Sequence, residues 1–445
     1  MRYLASVFVM VAALSANASA QETQPSQGVD SNTGASFPVQ IDGQQPPKQW
    51  IDKDTGHRVV RLSDEPNSQS LYFHQNAFSP DGTRMAFTAP TGIYQVELST
   101  GKIELILAGS TSRFTQTKPG PIISMMVAGR RTGRIFFTKL IPGDPAEPGS
   151  GERSVWWIDP VTKEQHEIGV LPKGVSVGTV NSDETLLAGA VTYSDGRNGA
   201  ATRPVTAPRG RRVNLGARWA QHLPMALATM NALTGEVKTF NPSNDWDNHF
   251  QFSPTDPTLL MYCHEGPWQN NDRVWTIRAD GTDLFKVHQR TMINEIWGHE
   301  FWASDGRTIW YQLQTPRGEG AVGWIAGYSL DTHQQTWYLN APDTGSIHVN
   351  VSRDGSLFAG DGGNGAPWIF LFTPHLARNM AQGIYDASGL IQPGHLDSER
   401  LVNMSKHNYA LEPNVNFTPD MKWIIFRSNM FGPSYAFAVE IAKAK

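Results

Sequence analysis

His407-Asn-Tyr-Ala-Leu-Glu-Pro-Asn-Val-Asn-Phe-Thr-Pro-Asp-Met-Lys-Trp-Ile-Ile-Phe-Arg-Ser-Asn429 decides the fold. From Asn416 onward it reads as a short apolar strand, a Thr-Pro-Asp turn and a second apolar strand. Pro presets the turn and Asp caps its backbone, so the two strands must fold back on each other. The same unit recurs at residues 77–88 (AFSPDGTRMAFT), 127–138, 179–191, 251–263, 301–313 and 350–361. Seven units at intervals of roughly 50 residues are the signature of a radial repeat. After most of them comes a second strand pair, such as residues 92–107 or 273–287, rich in β-branched and aromatic residues around Gly/Asp turns. Four antiparallel strands per unit predict an all-β, seven-bladed β-propeller.

The ends of the chain fit that reading. The last unit has one further strand, Tyr435 to Ile441, and then stops. Residues 54–62 have the missing turn-plus-strand form, so Arg58–Leu62 is expected to complete the last blade and close the ring. Ahead of it, residues 1–20 read as a secretory signal peptide, with Arg2, an apolar run and Ala18-Ser19-Ala20. Residues 21–49, rich in Gln, Ser, Gly and Pro, read as a flexible leader, and residues 50–445 as the propeller. One cysteine excludes an internal disulfide, which with export predicts a periplasmic protein. A net charge of −4 argues against nucleic acid as partner. Beyond the leader no apolar run is long enough to cross a membrane as a helix.

Repeat register also assigns residues to faces. Just before the inner strands stand His74, His249, His299, His348 and the pair Glu412/Asn414; just after the second strands stand His264, Gln314, Asp361 and Arg427. A propeller gathers these positions at one mouth of its channel, predicting a polar, His-rich pocket. The long interval 193–222 rises on the same face and carries Arg197, Arg203, Arg209, Arg211, Arg212 and Arg218 against Asp195. It reads as a solvated insertion or as a lid for an anionic ligand, since guanidinium pairs bidentately with carboxylate.

Four segments together are similar to the oligogalacturonate lyases, propeller enzymes that cleave pectin fragments. They are Tyr262-Cys-His-Glu-Gly-Pro267, His299-Glu-Phe-Trp302, His348 to Gly362, and Pro413 to Asp420. The resemblance runs from about Asp52 to Ile441. It implies a divalent metal, usually Mn²⁺, with His299 as ligand and His264 as Brønsted base. The family's Gln-x-x-His-x-His pattern of further ligands reads here Tyr409, Glu412 and Asn414. Glu412 and Asn414 can ligate a hard cation (Mn²⁺, Mg²⁺ or Ca²⁺) through oxygen, with His348 as a compensating ligand.

The implied chemistry is β-elimination on an acidic oligosaccharide. Neutralising the uronate carboxylate acidifies the C5 proton, and a neutral histidine can then remove it. The expected set is thus His264 and Tyr409 as base and acid, with His299, Glu412, Asn414 and His348 on the metal. Arg427, Arg218, His74 and His249 are expected to bind substrate. Trp268, Trp297 and Trp302 read either as sugar platforms or as core. The alternatives are a lyase for another uronate-containing oligosaccharide and a non-catalytic binding propeller of the TolB kind.

Overall fold

The computed structural model describes residues 46–111, 121–141, 151–194, 199–200, 215–377 and 389–444. The signal-peptide reading, residues 21–45 of the leader reading, and the arginines at 197, 203, 209, 211 and 212 lie outside them, whereas Gln49, read as the end of the leader, begins a strand.

The repeats fold as antiparallel blades. Blade 4 has the strand order Trp246–Phe252, Leu259–Glu265, Val274–Arg278 and Phe285–Lys286. Blades 2 and 3 are four-stranded in the same way, whereas blade 1 keeps three strands and holds its inner segment by the bridge Phe78–Met85. Blade 7 takes its outer strand from the front of the chain. His57–Arg61 pairs antiparallel with Tyr435–Lys443, Val60 facing Ala438, and Gln49–Ile51 adds a further edge. The expected closure is therefore present, one residue earlier than the sequence suggested. Val59, Val439 and Phe437 are fully buried in the seam.

Six of the seven repeat turns are built on an aspartate wrapped by its neighbours, the turn at 129–133 being the exception. Asp81 accepts hydrogen bonds from Ser79, Thr83 N and Thr83 Oγ1, and Asp354 is used in the same way by Ser352 and Ser356. Gly82, Gly306 and Gly355 take the left-handed conformation the turn requires. Where the glycine is missing, Glu184 and Met421 adopt it instead. The turns also hold one another. Ser253 donates to Gly306 O, Asn181 to Pro257 O, and the backbone of Arg131 and Thr132 to Glu184.

Blades 5 and 6 depart from the expected repeat. Blade 6 ends in a long hairpin, Trp368–Leu376 and Ile391–Asn403, whose second strand runs parallel to the outer strand of blade 5, Gln335–Asn340. The two blades thus share one eight-stranded sheet.

Candidate active site

The histidines reach the channel because the inner strands are bulged. In blade 4 the register slips between Asn248 and Gln251, and in blade 5 between Gly298 and Phe301. The extra residues, His249 and His299, sit at φ of 53° and 51°, and Asn414 in blade 7 sits at 56°. Left-handed backbone at a β-branched-free polar residue is a local cost that a bulge uses to re-aim a side chain.

The resulting cluster is buried and polar. His299 Nδ1 faces Gln312 Oε1 at 2.6 Å, which leaves Nε2 as the lone-pair nitrogen. That Nε2 is buried without a hydrogen-bond partner. Burial, then neighbouring His348, holds His299 well below its ordinary pKa. His74 is lowered to about 3 by burial and by His249, 6.3 Å away between ring centres. His348 Nδ1 meets Asp361 Oδ2 at 2.9 Å, and its Nε2 meets the Tyr72 hydroxyl at 3.2 Å.

Beside them lies a charged knot. His249 stands 3.4 Å from Glu300 and 3.6 Å from Glu265, and Arg273 binds Glu265 at 2.6 Å. Burial opposes a charge on His249, yet the two carboxylates hold its pKa above the ordinary value. One ligand atom each from His249, Cys263 and Glu300 can be chosen within 4.8 Å of one another. Both Glu300 carboxylate oxygens are buried without a hydrogen-bond partner. An imidazole, a thiol and an orphaned carboxylate fit a divalent cation. Burial raises the Cys263 thiol well above its normal pKa, so it would ligate only after a metal displaces its proton.

The predicted ligand set does not converge in the same way. His299, His348 and Glu412 supply no such three-atom grouping, although Glu412 lies 3.8 Å from His348 Nε2. The Asn414 amide is taken up by Phe73 N and by the Glu412 carbonyl. Tyr409 turns its hydroxyl to the Asp361 carbonyl and is buried. Arg427 is spent on the Glu412 carbonyl and Gln69. Trp297 is fully buried, and Trp268 packs between Arg273 and His299, so both are core.

His264 is not at the channel. Alternation along Leu259–Glu265 turns Cys263 and Glu265 toward His249, and His264 to the opposite face of the strand. There it lines a cavity of about 470 Å³ with Asn241, Ser243, Asp245, Tyr262 and Trp275, among others. Its Nδ1 is 3.7 Å from Asp245 and its Nε2 3.6 Å from Asp247, and its ring lies 5.2 Å from that of Trp275. Burial lowers its pKa, with Asp245 and Asp272 opposing. Asp247 is pushed up to about 8 by burial and by Asp245, so it is protonated near neutral pH. Tyr262 accepts from Asn241 Nδ2 at 3.1 Å, leaving its own O–H free to donate, and burial raises its pKa.

Arg218 belongs to the near end of the insertion, in the short helix Leu215–Trp219. Trp219 pins that helix over blade 4 by donating to Asn271 at 2.7 Å. The Arg218 guanidinium lies 5.0 Å over the ring of Trp246, next to Asp247 in the chain. It contacts the Met225 sulfur, and no carboxylate among the described residues pairs with it.

The sequence profile described as oligogalacturonate lyase matches residues 222–369. Oligogalacturonate lyase of Dickeya dadantii (strain 3937) is 24% identical over 88% of this chain and 95% of its own length. Over most of its length the chain is thus similar to oligogalacturonate lyases. Oligogalacturonide lyase of Pectobacterium atrosepticum matches equally, at 24% over 88% of this chain and 95% of its own. Among solved structures, an oligogalacturonate lyase in complex with manganese superposes with a TM-score of 0.68, at 23% identity over 89% of this chain and 96% of that one. Another, from Vibrio parahaemolyticus, gives 0.67 at 21% identity over 89% and 96%. The matched residues include His249, Cys263, His264 and Glu300 and stop before the segment 407–429.

Proposed function

We propose that the protein is a lyase that cleaves oligogalacturonides or related pectin fragments by β-elimination, with His264 as the base. The observation carrying this is the His264 cleft. A histidine held largely neutral by burial faces a cavity, a proton-retaining tyrosine lines it, and Arg218, with no carboxylate partner among the described residues, lies in the short helix Leu215–Trp219 over Trp246 of the neighbouring strand.

Arg218 pairs with the uronate carboxylate and thereby stabilises the charge that builds as C5 loses its proton. His264 takes that proton, the C4–O bond breaks, and a 4,5 double bond forms. The leaving oxygen gains a proton from Tyr262, a better-placed donor than Tyr409. His249, Cys263 and Glu300 are the residues that would hold a divalent cation, Mn²⁺ by analogy with the manganese-bound relative. When bound, the cation supplies positive charge behind the strand that carries His264. We also infer export to the periplasm through residues 1–20.

The test is direct. His264→Ala should abolish the ultraviolet absorbance of the unsaturated product from oligogalacturonides while leaving the melting temperature near that of the parent. Turnover surviving in a folded H264A variant would remove His264 from the role.

A further inference from the structure

We propose that the channel mouth on the turn side of the propeller, opposite the histidines, binds a small tetrahedral oxyanion, inorganic phosphate or sulfate, between Arg130 and Arg353. The site takes no part in the lyase chemistry above and stands or falls separately from it.

Repeat register brings the two arginines to one place. Each turn opens with a residue whose N–H bonds across to the start of the next strand, as Ser79 does to Arg84 O, Gly129 to Arg134 O and Ser352 to Leu357 O. The residue after it is therefore an equivalent position in all seven blades, at the turn-side end of the channel. It is proline at 80, 254 and 419 and serine at 182 and 304. Blades 2 and 6 alone put a charge there, Arg130 and Arg353. Arg130 reaches the lumen, where with Thr179, Gln251, Pro254 and His74 it lines a cavity of about 50 Å³. It is open to water along the channel although the blades surround it. That enclosure, and then the charge of Arg353, lower its pKa to about 10, so it stays charged at neutral pH within reach of a second cation. The Ser304 hydroxyl donates to the Arg353 carbonyl and fixes that turn. Neither guanidinium has a hydrogen-bond or ion-pair partner among the described residues. The neighbouring carboxylate, Asp354, is engaged by Ser352 and Ser356 of its own turn, as Asp81 is by Ser79 and Thr83. Two like charges brought together repel, and an anion between them replaces that repulsion with two charge-assisted contacts. Guanidinium groups suit phosphate and sulfate because their paired N–H donors match two oxygens at once. Size selects the same ligand. A cavity needs roughly 10–15 Å³ to admit one water, so this one takes an ion of a few atoms and not a sugar ring.

Calorimetric titration of the full chain with inorganic phosphate, and separately with sulfate, at fixed ionic strength tests this. Both anions should bind the parent, and Arg130→Ala and Arg353→Ala should each weaken them at least tenfold. Arg218→Ala, which removes the guanidinium above Trp246, should leave both affinities unchanged. Absence of binding to the parent overturns the proposal, as does binding that survives in R130A and R353A or is lost in R218A. A second measurement needs no variant. Phenylglyoxal modifies accessible arginines, and phosphate should protect Arg130 and Arg353 of the parent from it by at least severalfold, read by peptide mass spectrometry. Protection confined to other arginines would place the anion elsewhere and sink the site.

Discussion

Glu300 is a fully buried carboxylate whose oxygens find no hydrogen bond, although His249 stands 3.4 Å away. A cation bound there satisfies it, and binding to the folded state alone raises stability by mass action, by about 2.7 kcal/mol at a hundredfold excess over Kd. Mn²⁺ or Zn²⁺ should therefore raise the melting temperature of the parent, and Glu300→Gln should remove the shift. Equal shifts in both proteins would place the cation elsewhere. Glu295 is the contrasting case, buried yet fully answered by His288 at 2.7 Å and by the N–H groups of Thr291 and Met292. Burial works against its charge, but these partners hold its pKa below the ordinary 4.5. Its contribution is thus complete above about pH 4.5 and fades as the pH falls through the lowered value. Glu295→Gln should cost roughly 2–3 kcal/mol at pH 7, and denaturant midpoints should show the gap narrowing in acid. The sequence made His264, His299 and His348 visible but not their neighbours. Cys263, Glu265 and Glu300 stood inside the same quoted motifs. Strand alternation was the usable signal, because it requires the residues flanking a histidine to face away from it. The partners of Asn414, Arg427 and Tyr409 are backbone carbonyls, backbone N–H groups and Gln69, which no residue pattern announces.

At the scale of elements, the turns were legible because their chemistry is local. Asp with flanking Ser or Thr specifies its own hydrogen bonds within five residues. The bulges were not legible, since a register slip depends on how two strands meet rather than on either alone. Nor was the joint sheet of blades 5 and 6, whose pairing of Gln335–Asn340 with Ile391–Asn403 is long-range and parallel. Gly394 permits it. A Cβ there would lie 2.5 Å from both the His375 carbonyl oxygen and the Tyr338 ring. Gly394→Val should therefore cost about 1–3 kcal/mol, read as a lowered denaturation midpoint. An unchanged midpoint would mean that the hairpin contributes little to holding the two blades together.

For the whole molecule, the count and closure of the blades followed from seven turns and one strand too few at the end. What the repeat arithmetic overreached on was the mouth. It assigned His264 to the channel with the other histidines, whereas the strand carries it to the opposite face and into a separate cleft. Removal of residues 1–62 should abolish cooperative unfolding, because it strips two strands from blade 7 and exposes Val439 and Phe437. A truncated chain that still melts in one sharp transition would show that the seam is dispensable.

That seam also sets an order of events in time. His57 and its partner Glu440 are 383 residues apart in the chain, and the strand that starts the ring waits for the strand that ends it. A nascent chain has made His57–Arg61 long before Tyr435–Lys443 exists, so the ring cannot shut until synthesis has passed blade 7. The blades between can form locally, but a fragment lacking either strand of the seam remains an open arc with an unpaired edge.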